Sequence, residues 1–220
     1  MATNIDLHKM VLALANKNKI GTITPEIFLQ WVNMAQEDVV DEKLPLIDGS
    51  SRIVADLLPL KTVDKSATIT SGKFSIDGTH KKISHVKIVL VKSGVSYYPR
   101  VIFLPDNRKN EVLTSNYNKP SERVCYYSFS SATVNSTLTL YVNIHVPDGY
   151  TPTVTYDYYK TPDAVTMTEV NGAITLQTLV WNKSMCNEIA RRTVVMYLES
   201  IGDQRYQTLK TEQLSQNNKQ

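Results

Sequence analysis

Strict two-residue alternation over Thr137–Val146 is the feature that most restricts the fold. Leu138, Leu140, Val142, Ile144 and Val146 fall on one side, and Thr137, Thr139, Tyr141, Asn143 and His145 on the other. Successive side chains of an extended strand point to opposite faces, so ten residues sorted this way mark a strand with one buried face. Pro147-Asp148-Gly149 supplies a turn, and Thr153–Tyr159 alternates again through Val154, Tyr156 and Tyr158.

The same period is expected across the whole stretch from Ile53 to Tyr159. Earlier strand candidates are Ala67–Thr70, Phe74–Ile76 with the turn Asp77-Gly78, Val86–Val91, Val101–Leu104 and Val124–Phe129. The chain holds 22 Thr, 22 Val and 12 Tyr, types that suit a pleated, half-buried surface. Short strands with frequent turn signals predict an antiparallel sandwich or barrel. No βαβ alternation is visible, so a parallel nucleotide-binding sheet is not expected.

Both ends carry the helical period instead. Leu7, Met10, Val11 and Leu14 form one stripe, closed by Asn16-Lys17-Asn18-Lys19 and Gly21. Thr24-Pro25-Glu26 then starts a second helix with an N-cap, a proline at N1 and an acid near the positive dipole end. Phe28, Trp31, Val32, Ala35 and Val39 continue its apolar face, opposite Gln30, Asn33, Gln36 and Glu37, and it fades near Asp41. A terminal helix is predicted from about Leu179 to Ser200, with Cys186, Ala190, Thr193, Val194, Tyr197 and Ile201 on one side. Glu188 and Arg192 stand at i, i+4 on its solvated side. Gly202 should end it, Asp203 should start another, and the tail from Ser215 has nothing to bury.

The predicted fold class is therefore α+β, an antiparallel β-sandwich or barrel core flanked by N-terminal and C-terminal helices. The segments are helical 1–50, the β core 51–165, and helical 166–220 with a flexible tail. A chain of 220 residues can bury about 70% of its unfolded surface, so it can fold without disulfides or metal. The N-terminus has no basic flank and no window reaches the roughly 18 apolar residues of a membrane span, so a soluble, cytoplasmically made protein is expected.

Charge is unevenly placed. Residues 1–50 carry 4 basic and 7 acidic side chains, whereas residues 51–124 carry 13 and 6. The basic stretch (Lys73, Lys81, Lys82, Lys87, Lys92, Arg100, Arg108 and Lys109) matches no nucleic-acid recognition motif, and it is expected to meet an acidic neighbouring subunit.

Catalytic signatures are missing from the sequence. There is no G-x-S-x-G elbow, no phosphate-binding loop, and no H-x-x-x-H among His8, His80, His85 and His145. His145 is expected on a strand surface. Asp38 and Glu42 share a helix face and read as a solvated helix end rather than an acid–base pair. Cys125 could act as a nucleophile only with a His beside it, and reads as a small core residue. No enzyme activity, cofactor or metal is expected. Ten of the 12 tyrosines lie between Tyr97 and Tyr159, several in adjacent pairs that put one ring inward and one outward. Outward rings suit protein contact, or stacking on a sugar.

The layout also resembles a known family. Gly21-Thr22-Ile23-Thr24-Pro25-Glu26-Ile27-Phe28 followed by Trp31-Val32-Asn33-Met34-Ala35 looks like the start of small virion proteins in Bacteroides-infecting tailed phages. Leu57-Leu58-Pro59-Leu60, the His80–Val91 region and Pro120-Ser121 continue the likeness. Val154-Thr155-Tyr156-Asp157-Tyr158-Tyr159-Lys160-Thr161-Pro162, Leu179-Val180-Trp181 and Ile201-Gly202-Asp203-Gln204-Arg205 complete it.

Taken together, the chain resembles the ring or adaptor proteins of the head-to-tail connector of crAss-like short-tailed phages. The resemblance implies a structural virion protein forming a homo-oligomeric ring, of about twelve copies by portal symmetry. Such a ring stacks below the portal and meets portal or other tail ring proteins. Double-stranded DNA passes through it without sequence-specific contact, and it assembles in the host cytoplasm with no membrane partner. It brings no catalytic residues or cofactor. Candidate subunit-interface residues are Trp31, Tyr158, Trp181, Arg191, Arg205 and Tyr206, with intramolecular core as the competing role for both tryptophans. The alternative function is a carbohydrate- or receptor-binding β-module of a tail fibre. A small hydrolase using Cys125 is a third reading.

Overall fold

The computed structural model describes residues 2–17, 23–76, 79–134, 137–170 and 173–201. In chain order its elements begin with helices α1 (Asn4–Lys17), α2 (Pro25–Lys43) and α3 (Ser51–Leu57). Strands β1 (Lys61–Ala67), β2 (Lys73–Ile76), β3 (His80–Lys92), β4 (Val95–Tyr97) and β5 (Arg100–Phe103) follow. Then come α4 (Asp106–Thr114), β6 (Val124–Val134), β7 (Thr137–His145) and β8 (Thr151–Lys160). The small strands β9 (Glu169–Val170) and β10 (Ala173–Ile174) precede α5 (Lys183–Ser200). The chain is α+β, with two four-stranded, mainly antiparallel sheets between N-terminal and C-terminal helices. It divides into two compact units: the described parts of Met1–Pro59 and Pro162–Gln220 form one, and Leu60–Thr161 the other. The two terminal segments of the sequence thus share a unit, which also takes in residues 51–59 and 162–165.

In the helical unit, α5 packs against both α1 and α2. Leu7, Val11, Phe28, Val32, Ala35, Val39, Cys186, Ala190 and Val194 are buried, as their helical spacing predicts. Each start has a chemical cause. Thr24 caps α2, Ser50 caps α3, and Asn182 caps α5 by accepting the Met185 N–H at 2.9 Å. Such caps contribute about 1 kcal/mol each by satisfying an orphan N–H. The Asn182 cap corrects the predicted start of α5, because Leu179–Asn182 stays outside the helix. Gly21, Gly202, Asp203 and the tail lie outside the described residues.

The Gln36 assignment is also corrected. Gln36 is 2% exposed rather than solvated. Its amide donates to Asp163 O at 3.0 Å and accepts the Trp181 indole N–H at 3.2 Å. Asn33 holds both the N–H and the C=O of Val165. The irregular run after β8 has no sheet neighbour there, so these amides satisfy its backbone groups instead.

The other unit is a sandwich of sheets ordered β1-β8-β3-β4 and β2-β7-β6-β5. Val86, Ile88 and Leu90 of β3 and Val154 and Tyr156 of β8 meet Phe74 and Ile76 of β2, Cys125 of β6, and Val142 and Ile144 of β7 in one buried cluster. Two-residue turns at Ser71-Gly72 and Ser93-Gly94 have positive φ at both positions, which suits the right-handed twist of tight hairpins. In β1 the register slips between Thr62 and Lys65, where Asp64 has a φ of 52°. The carboxylate of Asp157 on β8 accepts the Asp64 N–H at 2.9 Å and lies 3.7 Å from Lys61. This edge strand is therefore bulged and pinned rather than straight.

Two expectations about the β region fail. Ile53 lies in α3, so the β region begins at Lys61 rather than at residue 53. The Ser50 cap and the helix-compatible run after it override the weak alternation. The sheet is also not purely antiparallel: β5 pairs with β6 in parallel, with α4 in the crossover, one βαβ unit that the sequence did not suggest. Helix α4 (DNRKNEVLT) has only Val112 buried, too little apolar stripe to announce a helix.

Candidate interaction surface

Of the predicted interface residues, Trp31 is half-buried on α2 and Arg191 is exposed on α5. Tyr158 is half-buried, with its ring stacked on His80 at 3.8 Å. Trp181 is only 2% exposed, so it is a core residue of the helical unit and offers no apolar surface. Its N–H pairs with Gln36, the arrangement expected when an indole is taken out of water. Arg205 and Tyr206 lie outside the described residues. Tyr158 belongs to the sandwich unit, and Trp31, Trp181 and Arg191 to the helical one.

The groups weighed for chemistry have structural partners. Asp38 lies 3.1 Å from the Arg192 guanidinium of α5, and Glu42 pairs with the same side chain. Glu188 reaches Lys43 at 3.1 Å rather than Arg192, so the expected i, i+4 pair is replaced by bridges between helices. Cys125 and Cys186 are fully buried, and burial pushes both thiols up to about 11. The Cys125 thiol donates to Ser121 O at 3.7 Å.

His145, expected on a strand surface, is half-buried, and its Nε2 lies 2.9 Å from Ser128 Oγ. Burial and then the Lys109 charge lower its pKa. Ser128 is 0% exposed, so its hydroxyl has no surface from which to meet a substrate. Among the described residues, no group of three His, Cys, Asp or Glu is placed to hold a metal ion. No described helix is long and apolar enough to cross a membrane.

One exposed apolar surface lies on the sandwich. Alternation sends Leu140 and Phe129 to the same side as the buried Val142 and Cys125, yet they are 44% and 40% exposed. Beside them is a hollow of about 380 Å³, lined by Ile76, Ile83, Phe129 and Leu140 together with His80, Lys81 and Lys82. Phe129 also joins Phe103, itself 46% exposed, and Tyr127 in an aromatic cluster with centroids 5.4–5.9 Å apart. Scattered apolar residues on a surface are ordinary, whereas an apolar hollow continuous with exposed aromatic rings is a candidate interaction surface.

A second surface runs along α2. Glu26, Gln30, Met34, Glu37 and Asp41 are all exposed and follow helical spacing down one side. Met34 is 52% exposed amid these acids. The two units differ in sign. The sequence of Leu60–Thr161 has 13 Lys or Arg against 7 Asp or Glu, a net +6, and the remainder has 11 against 14, a net −3. The sequence had marked Glu37 as polar and Leu140 as core. That Leu140 would stay exposed left no trace in the pattern.

Compared with known proteins, the chain matches no family model and no curated protein.

Proposed function

We propose that this chain is a structural subunit that assembles with copies of itself into a ring, as the connector proteins it resembles do. The ring extends and seals a DNA conduit below a phage portal and offers a docking face to the next ring. The observation that supports this reading best is the apolar hollow on the sandwich, where Phe129, Leu140 and the neighbouring Phe103 are left 40–46% exposed. A surface of that kind gains stability when another protein covers it. The basic sandwich and acidic helical unit favour contact between unlike surfaces, the kind that closes into rings by rotation.

Electron microscopy of the purified protein, alone and mixed with a portal, tests the reading. Closed rings that loosen with added salt are the expected result. A chain that stays monomeric at every concentration, with and without portal, overturns it.

A second reading, a sugar- or receptor-binding module, draws on Tyr98 and Tyr117, which are 80% and 98% exposed. Glycan-array hits that disappear in Tyr117→Ala would favour it.

A further inference from the structure

We infer that the sandwich hollow of one copy receives the acidic α2 stripe of a second copy. Met34 enters between Phe129 and Leu140, and Glu37 and Asp41 approach Lys81 and Lys82. The inference rests on the ring-forming reading above and assigns it a specific contact.

Three observations converge. The hollow sets the apolar side chains of Ile76, Ile83, Phe129 and Leu140 beside Lys81 and Lys82, which precede Ile83 on β3. The α2 stripe has the opposite charge, with one exposed apolar side chain among Glu26, Gln30, Glu37 and Asp41. On a helix, Glu37 lies about 4.5 Å and Asp41 about 10 Å along the axis from Met34, so one apolar anchor and two acids can address an apolar wall and its lysines together. The unit charges, +6 and −3, carry the same complementarity at longer range.

A hollow facing a second hollow would set lysines against lysines, which disfavours a symmetric contact. Hollow and stripe are different surfaces, so their contact is heterologous, and a repeated heterologous contact closes into a ring or runs on as a filament. The hollow therefore needs no partner other than this chain.

The test uses charge reversal in the full-length protein. Lys81→Glu with Lys82→Glu makes both surfaces of a copy acidic, and Glu37→Lys with Asp41→Lys makes both basic. Each variant alone is expected to lose assembly at least tenfold by light scattering coupled to size exclusion. An equimolar mixture is expected to regain it, because every hollow then meets a stripe of opposite sign. A fold defect would not be repaired by mixing. Thermal unfolding of each variant, near that of the parent, checks the fold directly.

A second measurement introduces Met34→Cys and Leu140→Cys in separate copies. The inference expects an intermolecular disulfide on mild oxidation, against a low background because Cys125 and Cys186 are buried. Rings that form unchanged in both reversed variants overturn the inference and leave the ring reading intact. Loss of assembly that mixing does not restore also overturns it. So does a Lys81→Glu/Lys82→Glu variant that keeps assembly but loses duplex DNA binding, since those lysines would then serve nucleic acid. A parent protein that never assembles overturns the ring reading and the inference together.

Discussion

The Trp181 indole N–H donates to Gln36 Oε1 at 3.2 Å, and both side chains are 2% exposed. The same amide donates to Asp163 O at 3.0 Å and to Asn33 Oδ1 at 3.3 Å, so one glutamine joins α2, the run before β9, and the residue ahead of α5. Gln36→Leu would keep about the same volume but leave the buried indole N–H without its acceptor and remove one hydrogen bond to the Asp163 carbonyl. A buried unsatisfied group costs about 1–3 kcal/mol, and a loss of that size is expected in urea unfolding. An unchanged midpoint would show that water replaces the amide.

Lys43 sits between Asp56 at 3.7 Å and Glu188 at 3.1 Å, and its side chain is only 12% exposed. Asp56 is 5% exposed and keeps one other partner, the Asn182 amide at 2.9 Å. Lys43→Met therefore strands a buried carboxylate and should cost about 3 kcal/mol. Adding Asp56→Leu should recover part of that loss, a non-additivity that a double-mutant cycle in denaturant would measure.

Burial raises both cysteine thiols from an ordinary value of 9 to about 11. Native protein should therefore react with a thiol reagent far more slowly than unfolded protein at neutral pH. Because the folded-state pKa is raised, the native state holds these protons longer than the unfolded chain. The associated stability is complete below about pH 9 and falls as pH rises toward about 11. Cys125→Ala with Cys186→Ala should flatten that decline in a series of thermal melts.

His145 titrates in the opposite sense. Burial and Lys109 hold its pKa below the ordinary 6.5, so the unfolded chain binds the proton first as pH falls. The stability linked to it is present above 6.5 and is lost below. His145→Asn should weaken the pH dependence on the acid side of 6.5, and identical slopes for the two proteins would refute the assignment.

The legibility of the fold follows from how local each signal is. The α2 start was readable because Thr24, Pro25 and Glu26 act on their own turn. Strand β7 was readable because alternation is a property of one strand. What failed depended on partners. The parallel pairing of β5 with β6 is set by where α4 carries the chain, and the exposure of Leu140 by what the facing sheet leaves uncovered. Gln36 looked solvated because a polar residue on a helix usually is, and only the position of Asp163 and Trp181 makes its burial favourable. Trp181, open between interface and core in the sequence, is core for the same reason. Among the surfaces, the α2 stripe could have been found from the spacing of Glu26, Met34, Glu37 and Asp41 alone.

The kink at Asp64 limits how copies of this protein can meet. A straight, unprotected strand at the margin of a sheet is a template on which further chains can hydrogen-bond, the route to uncontrolled fibre growth. Here the margin is bent by a residue in left-handed conformation, and its amide is already taken by Asp157. Backbone zippering along that border is thereby discouraged, and recognition is left to side chains, whose pairing can be selective where peptide groups cannot.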